Sequence, residues 1–210
     1  MKDKNKEINM KAVKLENVNE KETKNVKKPI DGSRNLYLKG EICDSNTSEI
    51  IQRIVEINIE DSTKRKNKIK YKEKPIRLYI QSYGGDCYDM FALVDIILNS
   101  KTPVYTICTG YAMSAAFIIF ISGHKRYITP HATLMLHQHS HMVCGTYQQN
   151  KEDNNEQDWL YESIMKFVLE RTKLTKKDLK IITEKKQDRY FHYNDSLELG
   201  IATDTLHEIN

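Results

Sequence analysis

From Arg34 onward the chain alternates between two hydrophobic periods. Asn35-Leu-Tyr-Leu-Lys-Gly40 and Pro75-Ile-Arg-Leu-Tyr-Ile80 place apolar side chains at every second position, the spacing of a strand with one buried face. The first is expected to close at its glycine, and the second to run on into Gly84-Gly85. Between them, Ile50, Ile54 and Ile57, widened by Ile51 and Val55, recur at helical spacing behind the polar run Asp44 to Ser48, which predicts a core-packing helix. Met90 to Leu98 predicts a second helix and Pro103 to Cys108 a third strand. Gly110 is expected to open a turn into the apolar segment Ala112 to Ile121, and Leu134-Met-Leu136 reads as a buried strand ending at His137. Strand and helix alternate, the pattern of an α/β domain built with crossover connections.

The C-terminal third is helical in pattern. Tyr147 to Thr172 carries Leu160, Ile164 and Val168 at four-residue intervals, with Trp159 and Phe167 beside them, while its first half is almost wholly polar and is expected to project from the core. Thr175-Lys-Lys-Asp178 reads as a capping box opening a short helix, and Asn194 to Leu199 as another, stopped by Gly200. The chain contains no internal repeat.

Charge changes the picture at one end. Residues 1–29 hold nine lysines against five acidic residues, so this segment accounts for the whole formal charge of +4. With few large apolar side chains it cannot offset the entropy of ordering, and it is read as a flexible basic arm. Residues 30–210 are then one folded domain, of ordinary size for 210 residues in all. That domain is close to neutral, which argues against a surface built to wrap nucleic acid. The seven basic residues between Lys64 and Lys74 read as a solvated loop. Cysteines 43, 87, 108 and 144 show no metal or redox spacing, and no signal-like or membrane-length apolar stretch occurs. A reducing, cytoplasmic setting is expected.

Candidate chemistry lies at two small-residue turns, each at the carboxyl end of a predicted strand, where α/β architectures bind ligands. Gly84-Gly85 lets a backbone approach closely. The second turn, Gly110-Tyr-Ala-Met-Ser114-Ala-Ala-Phe117, places a serine at a helix start. Such a serine is either an N-cap or a nucleophile beside backbone N–H donors. His137 follows a rigid strand, as an aimed general base requires. His137, His139 and His141 alternate, which also admits a metal site, but no acidic or cysteine partner accompanies them. Asp188 falls between two predicted helices. A serine, a histidine and an aspartate are the set that acyl transfer needs, with base activating hydroxyl and acid fixing the tautomer.

In order, these segments resemble the Clp protease proteolytic subunit across about Arg34 to Leu206. The resemblance rests on Gly-Gly followed 29 residues later by serine in a G-x-A-x-S frame, on Leu134-Met-Leu-His-Gln138, and on Asp188-Arg-Tyr followed by Leu197-Glu-Leu-Gly200. It implies a crotonase-like α/β fold, Ser114 as nucleophile, His137 as base and Asp188 as its orienting acid, with the backbone N–H groups of Gly85 and Ala115 as the oxyanion hole. It also implies polypeptide substrates, self-association into rings, in the family two stacked heptamers that meet through the long helix, and feeding by a separate ATP-driven unfoldase. No cofactor, metal, nucleic acid or membrane is implied, and the chain carries no G-x-x-x-x-G-K-[ST] pattern of its own. Three rivals use related parts. They are a ring subunit that has lost activity, an acyl-CoA hydratase or isomerase of the wider fold, and a viral capsid-maturation protease; the intact serine, histidine and aspartate disfavour the first two. Ser82-Tyr-Gly-Gly85 stands where the family has Ser-Pro-Gly-Gly, which predicts a looser loop, and the stretch from Lys64 to Lys74 resembles an insertion.

Overall fold

The computed structural model describes residues 33–67, 71–140 and 144–208. The basic arm therefore lies outside the described residues. Five strands line up in the order β1 (Asn35–Ile42), β2 (Ile76–Gly85), β3 (Val104–Met113), β4 (Lys125–Ile128) and β7 (Asp204–Thr205), every neighbouring pair parallel. Parallel neighbours need crossovers, supplied here by α1 (Asp44–Lys66), α2 (Cys87–Asn99) and α3 (Ala115–Ser122).

Strand β3 is shared along its length. Tyr105 to Cys108 pair with β4, and Tyr111 to Met113 pair instead with β5 (Thr133–Leu136). Antiparallel to β5 runs β6 (Arg189–Phe191). Pairing on both stretches carries β3 through Gly110, where the glycine alone predicts a turn. The first strand likewise passes Gly40, which takes φ +79° at an irregularity in register between Lys39 and Glu41.

Alternation settles which face is covered. Ile76, Leu78 and Ile80 of β2 are buried, and the residues between them are partly exposed. The helices pack on that buried face. Helix α1 turns Ile50, Ile54 and Ile57 inward and leaves Val55 exposed, and it continues to Lys66, well into the segment read as a loop. Lys64, Arg65 and Lys66 so occupy its last turn, where cations interact favourably with the helix dipole. Helix α3 is apolar all round and every one of its residues is buried. Fully burying side chains such as Phe117 and Phe120 stabilises the fold by about 1.5–3 kcal/mol each.

Helix α4 (Tyr147–Arg171) buries Leu160, Ile164, Met165 and Val168, all in its second half. Its last turn anchors α3: the Arg171 guanidinium donates to the carbonyls of Ile121 at 2.9 Å and Gly123 at 2.7 Å, satisfying groups that a helix C-terminus leaves open. Helix α5 (Lys176–Thr183) opens with the predicted box, in which the Asp178 carboxylate accepts from the Thr175 backbone N–H. Helix α6 (Tyr193–Glu198) ends at Leu199, followed by Gly200 at φ +65°. Among the described residues, no helix is long and apolar enough to cross a membrane.

Candidate active site

Strand register assembles the site. In the parallel pair, Met113 of β3 lies beside Met135 of β5, and the next residue, Ser114, donates its backbone N–H to the Met135 carbonyl at 2.9 Å. In the antiparallel pair, Leu136 lies opposite Arg189. One step further along that register sets His137 opposite Asp188. Three residues far apart in the chain thus meet at the end of a three-stranded strip.

Ser114 occupies the N-cap position of α3, but its side chain makes no capping hydrogen bond. Its backbone takes φ +54°, ψ −124°, a conformation that costs a non-glycine residue of order 1–3 kcal/mol. The hydroxyl instead lies 2.7 Å from His137 Nε2. The other ring nitrogen, Nδ1, lies 3.9 Å from Asp188 Oδ1, beyond hydrogen-bond length. Asp188 is about half exposed, and the neighbouring Arg189 is tied at 3.2 Å to Asp178 of α5. The imidazole is therefore positioned with one nitrogen on the serine and the other towards the carboxylate, and Asp188 lies between helices α5 and α6, as read from pattern, immediately before the short strand β6.

The two glycines divide their work. Gly84 (φ +115°) backs onto the serine: a Cβ there would stand 2.7 Å from Ser114 Cβ and 3.2 Å from the Ala115 nitrogen. Gly85 (φ +154°) lies so close to the Ile42 backbone that a Cβ would come within 2.3 Å of its carbonyl oxygen. Neither position admits a side chain. Without a proline the loop is still held, because the Gly84 N–H donates to the buried Ser82 hydroxyl at 3.0 Å and the Tyr83 ring stacks on Tyr111 at 4.2 Å. Ala115 is the first residue of α3, where backbone N–H groups have no partner within the helix.

Beside Ser114 opens a narrow cleft lined by Cys87, Met90, Ile118, Leu136, His139, Ile164 and Met165. Sequence reading takes Leu136 and Ile164 as core and does not foresee a cleft, since its walls come from four separate elements and loops. His139 lies at hydrogen-bond distance from Gln157, and His141 falls outside the described residues. Among the described residues no three His, Cys, Asp or Glu side chains gather as a metal ion would require.

Comparison with known proteins agrees with this geometry. The family described as Clp protease matches residues 17–208. The chain is 28% identical over 173 residues to the ATP-dependent Clp protease proteolytic subunit 2 of Treponema denticola, covering 81% of this chain and 80% of that protein. It is 34% identical over 138 residues to proteolytic subunit 1 of Shouchella clausii, covering 64% of this chain and 69% of the relative. Against proteolytic subunit 2 of Prochlorococcus marinus it is 33% identical over 122 residues, 57% and 54% of the two chains. The mixed sheet with its crossover helices is the crotonase-like fold of that family. A match spanning nearly the whole chain, on a fold that sets a serine hydroxyl against an imidazole, leads to one conclusion: this protein belongs to the Clp protease family of serine endopeptidases.

Proposed function

We propose that Ser114, His137 and Asp188 cleave peptide bonds as a catalytic triad. The observation that carries this reading is the 2.7 Å contact between Ser114 Oγ and His137 Nε2, made by a serine whose backbone is held off the capping conformation. His137 takes the hydroxyl proton as Oγ attacks the carbonyl, then returns it to the leaving amine. Asp188 favours the tautomer with the proton on Nδ1. The 3.9 Å between His137 Nδ1 and Asp188 Oδ1 is the separation without substrate, and catalytic hydrogen bonds that are long in the free enzyme tighten in the substrate complex. The N–H groups of Gly85 and Ala115 receive the oxyanion, at a loop whose conformation excludes side chains and at the start of a helix whose dipole favours negative charge.

The substrates are polypeptides, and the subunits assemble into stacked rings that enclose the sites, with the polar half of α4 meeting its counterpart. The relatives are named as ATP-dependent proteolytic subunits, which supports an ATP-driven partner, in this proposal a separate unfoldase.

A fluorophosphonate, which traps activated serines, tests the site directly. It should label the parent protein on Ser114, and Ser114→Ala should lose both the label and hydrolysis of fluorogenic peptides while keeping its circular dichroism spectrum and assembly. Parental cleavage rates in Ser114→Ala would refute the assignment.

A further inference from the structure

Pairing between β5 and β6 runs from Leu134 and Phe191 through Met135 and Tyr190 to Leu136 and Arg189, where it ends. Asp188 lies one residue past that last pair with its carboxylate half exposed, so the main chain there depends on what holds Arg189. Alternation along β6 puts the Arg189 side chain on the face of buried Phe191, with Tyr190 exposed on the other. On that face the guanidinium has two anchors. Its Nη1 pairs with Asp178 Oδ1 at 3.2 Å and donates to the Asp178 carbonyl at 3.4 Å, and its Cζ stands 5.1 Å from the centre of the Phe191 ring. Both anchors are fixed in turn. In the first turn of α5 the Asp178 carboxylate accepts from the Thr175 backbone N–H at 2.9 Å and hydroxyl at 2.6 Å. Those hydrogen bonds, and then the one from Arg189, hold its carboxyl below the ordinary value, so it is an anion at neutral pH. Phe191 stacks at 5.8 Å on Phe117 of α3, the helix that Ser114 begins.

We propose that Asp178 and Arg189 are positioning residues that act through Asp188: their ion pair ties the head of β6 to α5 and so sets where the Asp188 carboxylate faces His137 Nδ1. The inference rests on the assignment of Ser114, His137 and Asp188 as a triad. From 3.9 Å the carboxylate has to close by about 1 Å to reach hydrogen-bond length. Catalytic groups work when held within about 0.5 Å of the productive geometry, and with the ladder ended at Arg189 its side-chain anchors supply that restraint. The pair is partly shielded, at 24% and 32% exposure, which sets it apart from a fully solvated surface pair. Neither residue lines the cleft beside Ser114, so its loss is felt in kcat and not in KM.

A double-mutant cycle on the full-length protein, read by hydrolysis of a short fluorogenic peptide, tests this. Asp178→Asn keeps an oxygen for the Thr175 N–H but loses the charge that faces the guanidinium; it should lower kcat about tenfold and leave KM within about twofold of the parent. Asp178→Glu restores the anion with the usual residue of a capping box and should recover most of kcat. Arg189→Met keeps an apolar stem beside Phe191 without the charge and should match Asp178→Asn, which covers a failure of either variant to fold. In an Asp188→Asn background, where the orienting carboxylate is already gone, adding Asp178→Asn should cost less than about twofold more. A kcat within about twofold of the parent in either folded variant overturns the inference, and so does a further loss of about tenfold in the Asp188→Asn background, because the pair then acts on something other than Asp188. Both results leave the triad standing. A parent that takes no fluorophosphonate label on Ser114, or an Asp188→Asn variant that cleaves at the parental rate, overturns the triad assignment and the inference together.

Discussion

Replacing Asp61 by asparagine should destabilise the fold by about 3 kcal/mol at neutral pH. The carboxylate is fully buried in α1 and collects four donors. Arg34 contributes two, including NH1 to Oδ2 at 2.9 Å, and the hydroxyls of Tyr71 and Thr102 each donate at 2.7 Å. One side chain thereby ties the residue before β1, the far half of α1, the segment ahead of β2 and the α2–β3 connection. Burial alone pushes the carboxyl pKa up, but the hydrogen bonds from Arg34, Thr102 and Tyr71, with the guanidinium charge, outweigh it and hold the group at about 2 against an ordinary 3.8. At 1.36 kcal/mol per pH unit, this difference stabilises the folded state by roughly 2.5 kcal/mol. Because the folded pKa is the lower one, the contribution is complete above the unfolded value. It declines as pH falls from about 4 to about 2 and is absent below. Asparagine also strands Arg34, whose side chain is only 14% exposed, without its anion. Urea unfolding of parent and variant, at equal protein concentration, at pH 7 and at steps down to about pH 2.5, measures the difference and its acid dependence. A gap under about 1 kcal/mol at neutral pH, or one that acid does not narrow, would refute this account.

Two further substitutions probe the site and its assembly. Gly84→Ala places a methyl group 2.7 Å from Ser114 Cβ at φ +115°, so it should cut kcat/KM by at least about tenfold and lower stability by about 1–3 kcal/mol, read by peptide hydrolysis and thermal unfolding. Near-parental values in both would mean that the loop does not buttress the serine. Glu152→Lys combined with Asp153→Lys reverses charge on the exposed polar half of α4 and should shift stacked rings towards single rings, with a fall in activity. Native mass spectrometry showing an unchanged large assembly, or a monomeric parent, contradicts stacking through this helix.

The sequence by itself determined those features whose signals are local. Alternation marks β2, four-residue spacing marks the anchored half of α4, the Thr175 to Asp178 box opens α5, and Gly200 ends α6, each because a side-chain period or a cap is written into a few adjacent residues. The order of the serine, histidine and aspartate motifs was legible in the same way. Strands β4, β6 and β7 were not: at two to four residues they are too short to display a period, and only pairing with β3, β5 and β4 makes them strands. Tertiary structure alone decided three points at the site. Pairing to β4 and β5 kept Gly110 in an extended strand, register set His137 opposite Asp188, and the withdrawal of the Ser114 hydroxyl from its cap gave it to the imidazole. The cleft beside the serine, with Cys87, His139 and Met165 on its walls, belongs to the same class. Its residues lie up to nearly eighty positions apart, and what brings them together is long-range backbone pairing and the packing of α4, neither of which any short window of sequence contains.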